Sequence, residues 1–353
     1  MTQTEVRRQT LRLGTRASQL ALTQSQHVAD ALTAASGVPV ELVHVSTYGD
    51  RSQAAISQLG GTGVFVTALR DALLAGDVDL AVHSFKDLPT MPAPGLTIGA
   101  VPPREDPRDV LIARDGLTLG ELPPGAQIGT GAPRRMAQLR ALGLGLCVVP
   151  IRGNVDTRMG RVAGRGDGPG DLDAVVLARA GLSRLGRLSA VTEVLDPIQV
   201  LPAPAQGALA VECRTDDTRV RDLLASLDDP AARACVAAER AVLTALEAGC
   251  SAPVAAYAEL AEAEDGTAEL YLRASVTALD GSDGVRGSAS GAASDAVELG
   301  RALADELLDR GAASLMAASR SEGGQPVSAP HHHPHRPDTP AATPSGGRNR
   351  STR

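Results

Sequence analysis

Residues 82–89, VHSFKDLP, concentrate the side chains best suited to chemistry. Lys86 is the single lysine among 34 cationic side chains, and all the others are arginines. A guanidinium is a planar fork with five donors, whereas an ammonium is compact and fits a tight recess. Position 86 therefore reads as a place that excludes the fork. Asp87 follows directly, then Leu88 and Pro89 close the loop. An ammonium and a carboxylate at the end of an apolar strand (79–82) occupy the edge of an α/β sheet where ligands bind. Taken alone, the pair also reads as a solvated surface contact worth little.

Positive charge gathers in a second stretch. Between residues 128 and 165 lie Arg134, Arg135, Arg140, Arg152, Arg158, Arg161 and Arg165, with Asp156 the one acid, inside a chain of net charge −7. In GTGAPRR, Pro133 suits a first helical turn, which sets Arg134 and Arg135 beside backbone N–H groups that favour anions. In RGNVDTR, Arg152 ends a strand, Asn154 can cap and Arg158 lies one turn on. Guanidinium forks grip carboxylates and phosphates in pairs. No phosphate-cradling glycine signature is present, so the expected ligand is a polycarboxylate. Ligand contact is expected of Arg134, Arg135, Arg152 and Arg158, and solvated helix faces of Arg140, Arg161 and Arg165.

The four cysteines show no paired spacing and are expected to be free thiols. Cys147 and Cys213 fall in apolar strand runs and Cys235 on an amphipathic helix, so all three read as small core residues. Cys250 instead follows Ala248 and Gly249 past a helix end, where a thiol is accessible and can carry a covalent group. His27, His44 and His83 make no ligand spacing, so no metal is expected.

The elements that must position these groups follow from periodicity. Strands are expected at 11–13, 40–46 and 79–82, with helices after Ser18 and over 65–74, which gives an α/β domain with a mostly parallel sheet. A second such unit has strands at 126–129, 146–151 and 174–178 and helices at 133–142, 154–162 and 181–188. The Pro-rich run 198–211 reads as the chain crossing back to the first unit, and a helix follows over 218–227. From 230 a long helix, three alternating strands (254–260, 269–279, 285–291) and a helix (296–308) make an α+β unit. The expected domains are 1–102 with 203–228, then 103–202, then 229–320. Residues 321–353 are too polar and Pro-rich to bury a core and are expected to be disordered.

A hydrophobic content of 43% supplies these cores, built from Leu, Val and Ala because there are two Phe, three Tyr and no Trp. The acidic balance argues against nucleic acid. No leader-like or membrane-spanning apolar run appears, so a cytoplasmic protein is expected.

Eight motifs in order over about 310 residues carry a family resemblance: RLGTRASQLAL, VHSFKDLPT, REDPRD, GTGAPRR, RGNVDTR, LARAGLSRLG, LPAPAQGAL and AERAVLTALEAGC. The chain resembles the porphobilinogen deaminase (hydroxymethylbilane synthase) family. That resemblance implies two periplasmic-binding-protein-like (type II) α/β domains plus a smaller α+β C-terminal domain, in a monomer. It implies joining four porphobilinogen molecules head to tail with loss of ammonia, giving hydroxymethylbilane for tetrapyrrole (haem) synthesis. The primer would be a dipyrromethane cofactor on a thioether at Cys250, with Asp87 as catalytic acid. Cofactor and substrate would be held by Arg16, Ser18, Phe65, Lys86, Thr130, Arg134, Arg135, Arg152, Arg158 and Arg184. Each pyrrole brings an acetate and a propionate, which suits the polycarboxylate reading. Departures from the usual pattern are Gln58 and Thr62 for lysines, Ala132 for serine, Tyr48 for arginine, and Ala205 and Ala248 for glycines. The competing reading is a two-lobed module that binds a small anion without chemistry.

Overall fold

The computed structural model describes residues 10–45, 63–166, 168–249, 252–262 and 268–322, with backbone alone at 63–65, 262 and 318–322. Three sheets organise these residues. The first runs β2–β1–β3–β10–β4, made of β1 (Leu11–Thr15), β2 (Val40–His44), β3 (Leu80–Ser84), β4 (Leu96–Ala100) and β10 (Leu209–Arg214). Helix α1 (Gln19–Ser36) starts where Ser18 Oγ accepts from the N–H of Ala21 (3.3 Å) and stops at Gly37, which takes the left-handed conformation a side chain resists. Its apolar stripe (Val28, Ala29, Leu32) packs on Leu11, Leu13 and Leu80. Helix α2 (Gly63–Ala75) covers another part of the sheet through Leu69 and Leu73.

The second sheet repeats the plan in the order β7–β6–β8–β5–β9: β5 (Asp109–Ala113), β6 (Gln127–Thr130), β7 (Cys147–Pro150), β8 (Ala174–Ala178) and β9 (Glu193–Val194). Its helices are α3 (Pro133–Ala141), α4 (Val155–Met159) and α5 (Arg179–Arg184). The mostly parallel sheets expected are found, four of the five strands in each running one way and one reversed. Strand β10 runs antiparallel to β3 and β4, and β5 antiparallel to β8 and β9. Each reversed strand is the first reached after the chain passes from one sheet to the other. Strands β4 and β5 were not anticipated: β4 sits in a Pro-rich stretch, and β5 is buried on both faces, so it has no alternation to read.

The third sheet is an antiparallel meander, β11 (Val254–Glu262), β12 (Ala268–Thr277) and β13 (Gly284–Ala292). Helices α7 (Pro230–Ala245) and α8 (Ala296–Asp309) cover the face carrying Leu270, Leu272, Ala274 and Val276. Between the first two units and this one comes α6 (Thr218–Leu224), and α9 (Ala312–Glu322) follows α8.

Several local expectations change. The helix foreseen over 154–162 is the short α4, ended at Gly160. The one foreseen over 181–188 starts earlier and ends at Arg184. Helix α9 was missed. Cys147 is exposed rather than in the core, because β7 is an edge strand and Cys147 is its first residue. Cys213 and Cys235 are buried, and burial pushes both thiols up to about 11. Tyr48, Gln58, Thr62, Cys250 and the tail from 323 lie outside the described residues. Among the described residues no helix is long and apolar enough to cross a membrane, and no His/Cys/Asp/Glu group could hold a metal ion.

Candidate active site

Strand β3 is buried along most of its length, and it delivers the chain into a single 3-10 turn, Phe85–Asp87. That turn lifts Lys86 and Asp87 off the sheet edge while Phe85 points back into the core. The loop is clamped from the far side by α7. Arg240 donates to the carbonyls of Phe85 (3.2 Å), Leu88 (2.9 Å) and Pro89 (2.7 Å), and its guanidinium lies 4.5 Å from the Phe85 ring centroid. The third unit thus holds the loop carrying Lys86 and Asp87 in place.

Lys86 Nζ donates to Gln206 Oε1 (3.1 Å). The same oxygen accepts from Arg134 Nη2 (3.1 Å) and Arg135 Nη2 (3.4 Å), while Gln206 Nε2 donates to the Pro107 carbonyl and to Asp109 Oδ1, both at 2.7 Å. One buried amide therefore ties the lysine of the first lobe to the arginines of the second. Burial lowers the Lys86 ammonium to about 8, with Asp87 opposing and the positive Arg135 and Arg134 reinforcing the drop. Asp87 itself stays partly exposed beside it.

Arg134 and Arg135 follow Pro133 in the first turn of α3, as the GTGAPRR spacing predicts. Their surroundings differ from the expectation. Both are 4% exposed, and their forks close on Asp109 of β5: Arg134 at 2.7 and 3.2 Å, Arg135 at 2.8 Å. Arg134 also donates to the Leu201 carbonyl (3.0 Å) and Arg135 to that of Val176 (3.1 Å). Burial alone would raise the Asp109 carboxyl, but the two guanidiniums overcome it and hold the group well below the usual carboxylate range. Their terminal nitrogens are committed to protein, while each Nε is buried without a partner.

Arg158 of α4 lies against Gly131, where an added Cβ would sit 3.5 Å from both its terminal nitrogens and 2.8 Å from the Ile151 carbonyl. Its Nε is buried without a partner, and its pKa is lowered by burial and then by Arg135. Arg184 ends α5 and donates to the Gly207 carbonyl (2.7 Å); burial lowers its pKa, with Glu105 opposing. Arg152 is exposed in the loop after β7. Thr130 is fully buried at the end of β6, its hydroxyl accepting from the Ala132 N–H (3.4 Å). Ser18 is exposed and caps α1, and Arg16 leaves the end of β1 half-buried. Of Phe65 only the backbone is described.

The network thus gathers Lys86, Asp87, Arg134, Arg135, Arg158 and Arg184, the last through its neighbour Gly207. The residues expected to be solvated behave structurally: Arg140 donates to the Leu279 and Val148 carbonyls, Arg161 pairs with Asp171, and Arg165 donates to the Ala113 carbonyl.

Asp109, Gln206, Arg104 and Glu239 were missed, although REDPRD, LPAPAQGAL and AERAVLTALEAGC contain them. Glu239 of α7, 0% exposed, accepts both ends of the Arg104 fork (2.7 and 2.9 Å) and the N–H groups of Ala205 (2.6 Å) and Ala258 (2.8 Å). The signal available in sequence was an acid on the buried face of an otherwise apolar helix, a position that demands partners.

Comparison with known proteins places this geometry in context. The family model described as "Porphobilinogen deaminase, dipyromethane cofactor binding domain" matches residues 11–222, and the one described as "Porphobilinogen deaminase, C-terminal domain" matches 233–309. Relatives named porphobilinogen deaminase include those of Nocardia farcinica, 60% identical over 87% of this chain and 88% of theirs, and of Mycobacterium bovis, 60% identical over 87% and 98%. Among solved structures, the methionine-binding protein MetQ aligns at 14% identity and TM-score 0.39, covering 62% of this chain and 90% of that one. With the two family models matching residues 11–222 and 233–309 and relatives 60% identical over 87% of the chain, the chain belongs to the porphobilinogen deaminase family.

Proposed function

We propose that the chain joins porphobilinogen units head to tail, releasing ammonia at each addition and giving hydroxymethylbilane after four, with Asp87 as the catalytic carboxylate. One observation carries this reading: the ammonium of Lys86 and the two buried guanidiniums of Arg134 and Arg135 converge on the Gln206 side-chain oxygen, with the partly exposed carboxylate of Asp87 next in the chain. The substrate's aminomethyl group departs as ammonia once protonated, and positive charge develops on the pyrrole nitrogen. A carboxylate that accepts from that pyrrole N–H stabilises the charge where it forms, an effect worth several kcal/mol in a preorganised site. The Lys86 ammonium, still largely charged below about 8, offers a cation beside Asp87 to a substrate carboxylate.

The dipyrromethane that the matched domain is named for fits the donor set. The partnerless Nε atoms of Arg134, Arg135 and Arg158 are buried donors, and buried donors seek acceptors. When bound, this group supplies the pyrrole carbon to which the first unit is joined. Its acetates and propionates would be held by Lys86, Arg16, Arg152, Arg158 and Arg184, with Ser18, Thr130 and Phe65 lining the site. Arg134 and Arg135 would contribute through their Nε–H groups or by exchanging their contacts with Asp109. Cys250, which lies outside the described residues, is our candidate for the thioether. A binding module without chemistry would need neither a carboxylate at the ammonium nor a covalent group on a thiol. We read the protein as a cytoplasmic monomer, as the family resemblance implies.

Intact-mass spectrometry tests the assignment. The purified protein should carry a dipyrrole-sized adduct that Cys250→Ala lacks; bare thiols in a sample that turns porphobilinogen over would refute it.

A further inference from the structure

The alternation that sends Leu270, Leu272, Ala274 and Val276 into the core of the third unit sends Tyr271, Arg273 and Ser275 to the opposite face of β12. Register sets Arg286 and Ser288 of β13 beside Ser275 and Arg273. Pro197, Ile198 and Leu201, leaving the second lobe, border an open cavity of about 480 Å³ on this face. Ile198, Leu201 and Tyr271 form its apolar walls, and Ile198 is 71% exposed. Of these residues Leu201 also touches the cleft around Lys86, through the bond its carbonyl accepts from Arg134.

Two donors in this cavity are unused. Arg273 Nε and Ser275 Oγ are buried and have no hydrogen-bond partner, and Ser275 is only 1% exposed. A donor in that state is costly unless an acceptor arrives. The charge balance indicates which acceptor. Arg273 Nη2 is paired with Glu259 (2.8 Å) and Arg310 with Glu306 (3.0 Å). Arg286 donates to the Ile198 carbonyl (3.2 Å), and among the described residues no carboxylate offsets it. One unbalanced positive charge, two idle donors and apolar walls match a monoanion with a flat hydrophobic body.

We propose that this cavity is a second binding site, for a small aromatic or otherwise planar carboxylic acid. Its carboxylate accepts from Arg273 Nε and Ser275 Oγ in the field of Arg286, and its ring lies between Ile198 and Tyr271. The site joins the second lobe to the C-terminal unit, so an occupied site draws residues 197–201 onto β12.

Benzoate is the probe, titrated into the full-length protein by calorimetry, with benzamide as its neutral isostere. Benzoate should bind saturably, and benzamide about tenfold more weakly, since charge-assisted bonds are the stronger class. Arg273→Gln and Ser275→Val should each weaken benzoate by about tenfold or more, while Lys86→Gln leaves it unchanged. Equal binding of benzamide, no saturation on the unaltered protein, or loss in Lys86→Gln with retention in Arg273→Gln would overturn the proposal. The benzamide comparison needs no variant, so a misfolded substitution cannot shelter it.

Discussion

Lys86 shows how a single side chain is tuned by what surrounds it. Burial and two neighbouring guanidiniums lower its pKa from 10.5 to about 8. A lysine whose folded pKa is lowered costs stability while charged, below about 8, and that cost fades as pH rises toward the unfolded value. Function runs the other way, because only the charged form attracts carboxylates. The KM for porphobilinogen should therefore rise between pH 7 and 9, and Lys86→Gln should flatten that rise; a flat profile in the unaltered protein would remove Lys86 from substrate binding. Ala205 shows what a residue type can conceal. It stands where the family commonly has glycine, at φ +62° and fully buried, in the left-handed region an alanine rarely enters. Its N–H bond to Glu239 helps fix it there. The lone lysine and the arginine run were legible because residue type alone marks them. That Arg134 and Arg135 would turn to Asp109 was not, since the carboxylate lies 25 positions away on a strand with no pattern to read.

At the scale of elements, the third unit depends on close approach between α7 and α8. Gly300 sits where a Cβ would come 2.3 Å from the Ala238 carbonyl oxygen. Gly300→Ala should cost about 1–3 kcal/mol, the usual penalty for overpacking, read as a lower urea midpoint. An unchanged midpoint would mean the helices can separate freely. The buried Glu239 ties α7 to both the crossing segment and β11, and removing one member of such a pair costs about 3–5 kcal/mol. Glu239→Ala should show that loss in denaturation and also loosen the Arg104 contact; a change within error would demote Glu239 to a bystander. Strands and helices with clear alternation or helical spacing, such as β12 and α8, could be read directly. Strands β4, β5 and β9 could not, because short, doubly buried or Pro-flanked runs carry no period. Their places come from pairing with distant partners.

At the scale of the molecule, the two crossings between lobes, near 103–108 and 202–208, meet at Gln206 and Arg104. Arg104 donates to the Gln206 carbonyl (2.8 Å) as well as to Glu239, so lobes and third unit share one buried junction beside Lys86. The glycine at 207 has φ +88°, and a Cβ there would meet the Glu105 carbonyl oxygen at 2.3 Å, so the crossings touch backbone to backbone. Composition and motif order made the two-lobed plan legible; the junction itself arises only when segments 100 residues apart are brought together. A binding cleft and a catalytic one could share this scaffold, and what separates them is the carboxylate beside Lys86. Turnover of porphobilinogen by Asp87→Asn, measured on protein confirmed by intact mass to hold its dipyrrole adduct, tests that most directly. A loss of about 10²-fold or more is expected for removing a charge that stabilises the transition state, with folding and adduct retained. Turnover within a few-fold of the unaltered protein would contradict the assignment of Asp87 as the catalytic group.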